Sequence, residues 1–150
     1  MSEPRVRRAR WSELDPQTLH DLVKLRVDVF VVEQACPYPE LDGRDTLPST
    51  QHVWVDDAAG PSAYLRELAE PDGCVRVGRV CTRADARGRG LARVLLDDIL
   101  TRHADRPVVL DAQAYLAAFY AGLGFVPCGP EFLDDGIPHV PMRRDPDPVR

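Results

Sequence analysis

Val80-Cys81-Thr82-Arg83-Ala84-Asp85-Ala86-Arg87-Gly88-Arg89-Gly90-Leu91-Ala92 places an apolar run, a short turn, an arginine-glycine loop and the start of an amphipathic segment end to end. That order predicts a strand, a turn and a helix whose first N–H groups open onto the loop. Free N–H groups at a helix start, together with the guanidinium groups of Arg87 and Arg89, suit an anion. A phosphate-bearing ligand is the functional reading. A tight surface turn with solvated arginines is the competing one, because Gly88 and Gly90 serve either purpose.

Two known phosphate loops do not fit. A Walker loop needs Gly-Lys-Ser/Thr after its glycines, and no such tripeptide occurs. The dinucleotide fingerprint matches at two glycines only, because its third small position is Arg93.

On the helical side of the loop, Leu91, Val94, Leu95 and Ile99 line one face while Arg93 and Asp97 point away. Upstream, residues 51–56 and 62–68 read as strands joined by Asp57-Ala58-Ala59-Gly60-Pro61. The connection Glu70-Pro71-Asp72-Gly73 then leads into the apolar run 74–82. Nearer the start, residues 5–11 read as a short edge strand. Asp15-Pro16 begins a helix carrying Leu19, Leu22, Val23, Arg26 and Phe30, and a Pro, Asp and Gly-rich loop spans 35–50. Downstream, 107–112 reads as a buried strand and 114–123 as a helix stopped by Gly124. Phe125–Cys128 and Ile137–Met142 form a last strand pair, the tail 145–150 is expected to be disordered, and residues 1–4 are expected to be flexible. The order is mixed α/β in one domain spanning 1–150.

Composition bounds the rest. Hydrophobic residues make up 44% and charged residues 29% of 150, as in ordinary globular proteins, and the net charge of −5 disfavours nucleic-acid and anionic-membrane partners. MSEPRVRRARW lacks a secretory apolar region, and no run of about 18 apolar residues occurs, so a cytoplasmic location is expected. Cys36, Cys74, Cys81 and Cys128 are too scattered for a zinc or dithiol motif, so free thiols and no metal are expected.

Arg87-x-x-Gly90-x-Ala92, between strand and helix, resembles the coenzyme-A pyrophosphate loop of the GNAT N-acetyltransferases. Phe119-Tyr120-Ala121-Gly122-Leu123-Gly124-Phe125 resembles that family's second signature, about 30 residues later and in the expected order. Leu25-Arg26, Val29 to Gln34, Cys36-Pro37-Tyr38, Asp42-Gly43, Gly78-Arg79-Val80, Ala112-Gln113-Ala114 and Asp135 to His139 are similar to its ElaA-like branch. The resemblance covers roughly residues 7–143. Gln113 departs from it, standing where an asparagine is usual, though both amides offer the same hydrogen bonds.

The resemblance implies a mixed, mostly antiparallel sheet of about seven strands flanked by helices, and direct transfer of an acetyl group from acetyl-CoA to a primary amine. The amine belongs to a small molecule or peptide, and a homodimer is compatible with the family. It further implies that the strand ending at Thr82 parts from the strand at 107–111 and that pantetheine lies between them. Pantetheine would pair with the backbone of Val80 and Thr82, and a backbone N–H near Val80 or Cys81 would face the thioester carbonyl. The pyrophosphate would sit on the loop formed by Arg87, Gly88, Arg89, Gly90, Leu91 and Ala92, with Gln113, Phe119 and Tyr120 as further coenzyme contacts.

Tyr120 is the expected general acid for the departing thiolate, against the alternative of a packing tyrosine. For the base, Glu33 ranks ahead of His52, His139 and a water relay, because it follows an apolar run that suggests a partly buried carboxylate at a cleft. Phe30, Glu33 and His139 are expected to face the acceptor. Arg26, on an apolar helix face, needs a partner such as Asp42 or Asp45. The acidic clusters Glu40-Asp42-Asp45 and Glu131-Asp134-Asp135 are expected either at the acceptor's mouth or in solvated loops. Cys81 reads as a buried core thiol. Two other functions fit the same residues: acyl-homoserine-lactone synthesis, and a catalytically idle coenzyme-A-binding sensor.

Overall fold

The computed structural model describes residues 4–146. Strand β1 (Arg7–Ala9) is followed by helix α1 (Pro16–Val27) and then by strands β2 (Gln51–Asp57), β3 (Gly60–Ala69) and β4 (Val75–Thr82). Helix α2 (Leu91–Arg102), strand β5 (Val108–Gln113) and helix α3 (Ala117–Ala121) come next. Strands β6 (Val126–Pro127), β7 (Phe132–Asp134) and β8 (Ile137–Arg144) close the chain. The sheet order is β1-β2-β3-β4-β5-β8-β6, with β7 also pairing β8. Among the described residues only β4 and β5 run parallel, because α2 is the crossover between them.

Side-chain alternation builds a core on each face of the sheet. Val53, Val55, Ala63 and Leu65 point to one face and bury Leu91, Leu95, Leu96 and Ile99 of α2. Trp54, Tyr64 and Cys81 point to the other and meet Leu22, Leu25 and Val29 from the α1 side. The central strand β3 is therefore buried from Pro61 to Leu68. Each large aliphatic side chain taken fully out of water contributes about 1.5–3 kcal/mol.

Local signals set the element ends. Asp15 caps α1 by accepting from Thr18 N at 2.7 Å, with Pro16 in the first turn. Beyond Val27 the valine-rich run disfavours a regular α-helix, and the chain widens into a π-helical turn over Asp28–Glu33. Bonds from Gln34 N to Val29 O (3.3 Å) and from Cys36 N to Val31 O (3.1 Å) close it. This rephasing keeps Val29 in the core while Phe30 and Glu33 line a cleft.

Several expected elements change. The 5–11 strand shrinks to β1, because Arg10 N donates to the Glu13 carboxylate at 2.8 Å and opens a 3-10 turn over Trp11–Glu13. The 114–123 helix divides into a 3-10 turn over Ala114–Leu116 and the short α3, and the strand at 125–128 contracts to β6. Gly124 ends the helical segment at φ +96°, with Phe125 N bonded to Tyr120 O at 3.2 Å. β7 was not anticipated, and with it the strands number eight among the described residues. Of the termini expected to be flexible, Pro4, Asp145 and Pro146 join no regular element, and residues 1–3 and 147–150 lie outside the described residues. No helix among the described residues is long and apolar enough to cross a membrane.

Candidate active site

β4 and β5 are in register only at Val75↔Val108 and Arg76↔Val109. Beyond those pairs β4 stays on β3, and β5 stays on β8 as far as Gln113↔His139. The facing edges of the two strands are consequently free of one another from Val77 onward. A cleft of about 720 Å³ lies there, lined by Val80, Cys81, Thr82, Arg87, Ala92, Gln113, Phe119 and Tyr120 among others.

A β-bulge shapes the β4 wall. Tyr64 pairs with Cys81 and Arg66 with Gly78, so Arg79 and Val80 together oppose Leu65 alone. Arg79 adopts φ +54°, an uncommon angle for a residue with a Cβ. Glu40 holds it there: Arg79 Nε donates to Glu40 Oε2 at 2.8 Å, and the guanidinium lies 5.5 Å from the Tyr38 ring centroid.

Glu40 belongs to a largely buried ionic network in the wall of the cleft. Arg26, 1% exposed, donates from Nε to Glu40 Oε2 at 2.8 Å and from Nη1 to Asp45 Oδ1 at 2.8 Å. Arg66 donates from Nη1 to Asp42 Oδ1 (2.8 Å) and Asp45 Oδ1 (3.2 Å). Burial works against the charge on Asp45, yet the guanidinium groups of Arg26 and Arg66 outweigh it and hold the carboxyl below its ordinary range. Of the partners expected for Arg26, Asp45 is found and Asp42 serves Arg66 instead. The first acidic cluster is thus neutralised by arginines, and its Glu40 and Asp42 line the cleft together with Asp134 and Asp135.

At the loop, Gly88 and Gly90 have φ +79° and +72°, which glycine alone adopts without strain. Gly90 caps α2 without a side chain, so the cap leaves the N–H groups of its first turn free for a ligand. Ala92 lines the cleft, Leu91 packs into the core, and Gly88, Arg89 and Gly90 are exposed beside it. Arg89 reaches back within its own loop, from Nη2 to Asp85 O at 3.4 Å.

Tyr120 is 5% exposed and packs edge-on against Phe119 and Phe125, at 5.2 and 5.9 Å between ring centroids. Burial pushes its phenol up to about 12. Cys81 is a buried thiol, also pushed up to about 12 by burial, so it is protonated at neutral pH and a poor nucleophile.

The three base candidates separate. His52 is 1% exposed, with Nδ1 2.6 Å from Tyr64 Oη and Nε2 3.1 Å from Asp45 O. Burial drives its pKa down, and both ring nitrogens are engaged away from the cleft, which removes it as a base. Glu33 lines the cleft, but its side chain is 45% exposed rather than buried, and Arg87 grips it bidentately at 2.7 and 2.6 Å. Those hydrogen bonds lower its pKa. His139 and Phe30 also line the cleft.

The profile of the family described as "Acetyltransferase (GNAT) domain" matches residues 19–146. The chain belongs to the GNAT acetyltransferase family. A UPF0039 protein of Mycobacterium tuberculosis is 54% identical over 143 residues, covering 93% of this chain and 92% of the relative. Among solved structures, an acyl-CoA N-acyltransferase from Pseudomonas aeruginosa superposes with TM-score 0.88 at 40% identity, covering 95% of this chain and 99% of that one. Escherichia coli ElaA superposes with TM-score 0.87 at 36% identity, covering 95% and 100%. This GNAT chain is therefore an acyltransferase of the coenzyme-A-dependent kind, with the ElaA-like character that its residues suggested.

Sequence reasoning missed Arg66, Arg79 and Tyr115 as cleft residues. The signal for Arg66 was present, an arginine inside the apolar run Ser62 to Leu68. The Gly78-Arg79-Val80 likeness marked the position of Arg79 but not its angle, which depends on the bulge.

Proposed function

We propose that the protein transfers the acetyl group of acetyl-CoA directly to a primary amine of a small-molecule or peptide acceptor, and that residues 1–150 act as one catalytic domain. The observation that carries this is the early parting of β4 from β5, directly ahead of the glycine loop and the start of α2. An extended amide-bearing arm fits between the strands, and the free N–H groups and positive end of α2 fit a pyrophosphate.

In this reading Val80 and Thr82 pair with the pantetheine amides, and Gln113 meets them from the β5 side. The bulge at Arg79 turns a β4 N–H near Val80 toward the thioester carbonyl oxygen, where negative charge develops. Arg87, Gly88, Arg89 and Gly90, with the N–H groups of Leu91 and Ala92, hold the pyrophosphate. Tyr120 and Phe119 flank the thioester, and Tyr120 gives its phenolic proton to the departing sulfur while water restores the phenol. Cys81 stays a protonated wall residue, so no acyl-enzyme forms. Phe30 and His139 lie on the acceptor side.

The test pairs calorimetry of acetyl-CoA binding with a thiol-release screen over amino acids, polyamines, aminoglycosides and lysine peptides. Binding together with thiol release for one amine class is the expected result. Binding without release for any amine indicates a coenzyme-A sensor, and release from acyl carrier protein alone indicates acyl-homoserine-lactone chemistry. Absence of acetyl-CoA binding overturns the reading.

A further inference from the structure

We propose that His139 is the general base that deprotonates the acceptor amine; this rests on the acyltransferase reading of the cleft. Its Nδ1 lies 2.7 Å from the backbone oxygen of Ile137 on the same strand. A carbonyl oxygen only accepts, so Nδ1 carries the hydrogen, and the neutral ring keeps its basic lone pair on Nε2. That is the tautomer a base needs, fixed by the fold before any substrate arrives.

The ring is also held in orientation. Phe132 on β7 stacks on it at 5.6 Å between centroids and 22° between planes. His139 pairs with Phe132 on one side and with Gln113, at the end of β5, on the other. Cross-strand partners share a face of the sheet, so Gln113 and His139 reach the same cleft from adjacent strands. Asp111, Asp134 and Asp135 line that cleft too, as do Arg76 and Arg79. Neither rival offers this: Glu33 is tied to Arg87, and His52 is enclosed under the sheet.

The proton inventory closes. Nε2 takes one proton from the acceptor ammonium, and the released lone pair forms the C–N bond at the thioester carbonyl. The C–S bond breaks with its electron pair on sulfur, and Tyr120 protonates that sulfur. The second nitrogen proton leaves to water as the amide forms, and water restores the phenol and the neutral imidazole.

The experiment compares wild type, His139→Gln and His139→Ala with acetyl-CoA and an accepted amine. His139→Gln is expected to lose about 100-fold or more in kcat, with acetyl-CoA affinity and Tm held. Added imidazole is expected to restore turnover to His139→Ala in a concentration-dependent way. Wild-type kcat in His139→Gln overturns the assignment while leaving the acyltransferase reading intact. A loss of turnover accompanied by loss of acetyl-CoA binding, or one that imidazole does not rescue, assigns His139 a structural role and also overturns it. Failure of wild type to bind acetyl-CoA removes both proposals.

Discussion

Arg87 and Glu33, 54 residues apart, close a two-bond ion pair between the arginine-glycine loop and the π-helical turn. The guanidinium proposed to receive phosphate is thereby occupied by a carboxylate of the same chain. Both side chains are nearly half exposed, so the pair contributes at most about 1 kcal/mol to stability. Its larger effect falls on binding, because an incoming pyrophosphate competes with Glu33 for one fork.

Glu33→Gln is accordingly expected to tighten acetyl-CoA binding by up to about fivefold, the factor that about 1 kcal/mol corresponds to. Calorimetry measures it. Weaker binding in this variant sinks the competition idea and makes Glu33 a supporting residue of the donor site.

Tyr120→Phe keeps the ring contacts with Phe119 and Phe125 and removes only the hydroxyl. Turnover is expected to fall by about 100-fold or more, with Tm nearly unchanged. Because burial raises the phenol to about 12, the group stays protonated through the neutral range and gives wild type no alkaline loss of rate until pH approaches that value. Equal kcat for the variant at every pH removes the proton-donor role.

Arg26→Ala strips the guanidinium from between Glu40 and Asp45, both at least 95% buried. Leaving those carboxylates uncompensated is expected to cost about 3–5 kcal/mol. A urea titration showing less than about 1 kcal/mol lost would mean that Arg66 and Arg79 suffice.

Cys81 gives the fold an alkaline weakness. Its thiol is raised from 9.0 to about 12, so the unfolded chain releases this proton at lower pH than the folded one. Stability from this group is complete below pH 9 and declines as pH rises toward 12, by at most about 4 kcal/mol. Cys81→Ala should flatten the pH dependence of the urea midpoint across that window. An unchanged slope would locate the alkaline sensitivity elsewhere.

What could be read from the sequence was what depends on neighbours along the chain. Asp15 caps α1 because its partner is Thr18, and Gly124 ends a helix through a bond between Phe125 and Tyr120. Leu91, Leu95 and Ile99 mark the buried face of α2 because helical spacing alone determines it. The family signatures at Arg87–Ala92 and at Phe119–Phe125 were legible for the same reason. The partner of Glu33 was not, since it lies 54 residues away, and for Arg26 the apolar helix face called for an acidic partner and Asp45 was among those expected, while Glu40 was not. Apolar flanks made Glu33 look buried, whereas the π-helical turn rotates it outward to Arg87. β7 escaped notice because three residues hold no readable alternation, and its existence depends on pairing with β8.

The short register between β4 and β5 also bears on how long the protein lasts. A molecule that bridges those two strands binds the folded chain and has no site on the unfolded one. At a hundred times its dissociation constant, such a ligand adds about 2.7 kcal/mol to the folded state. In the proposed reading acetyl-CoA is such a ligand, so resistance to heat and to proteases is expected to rise with its concentration.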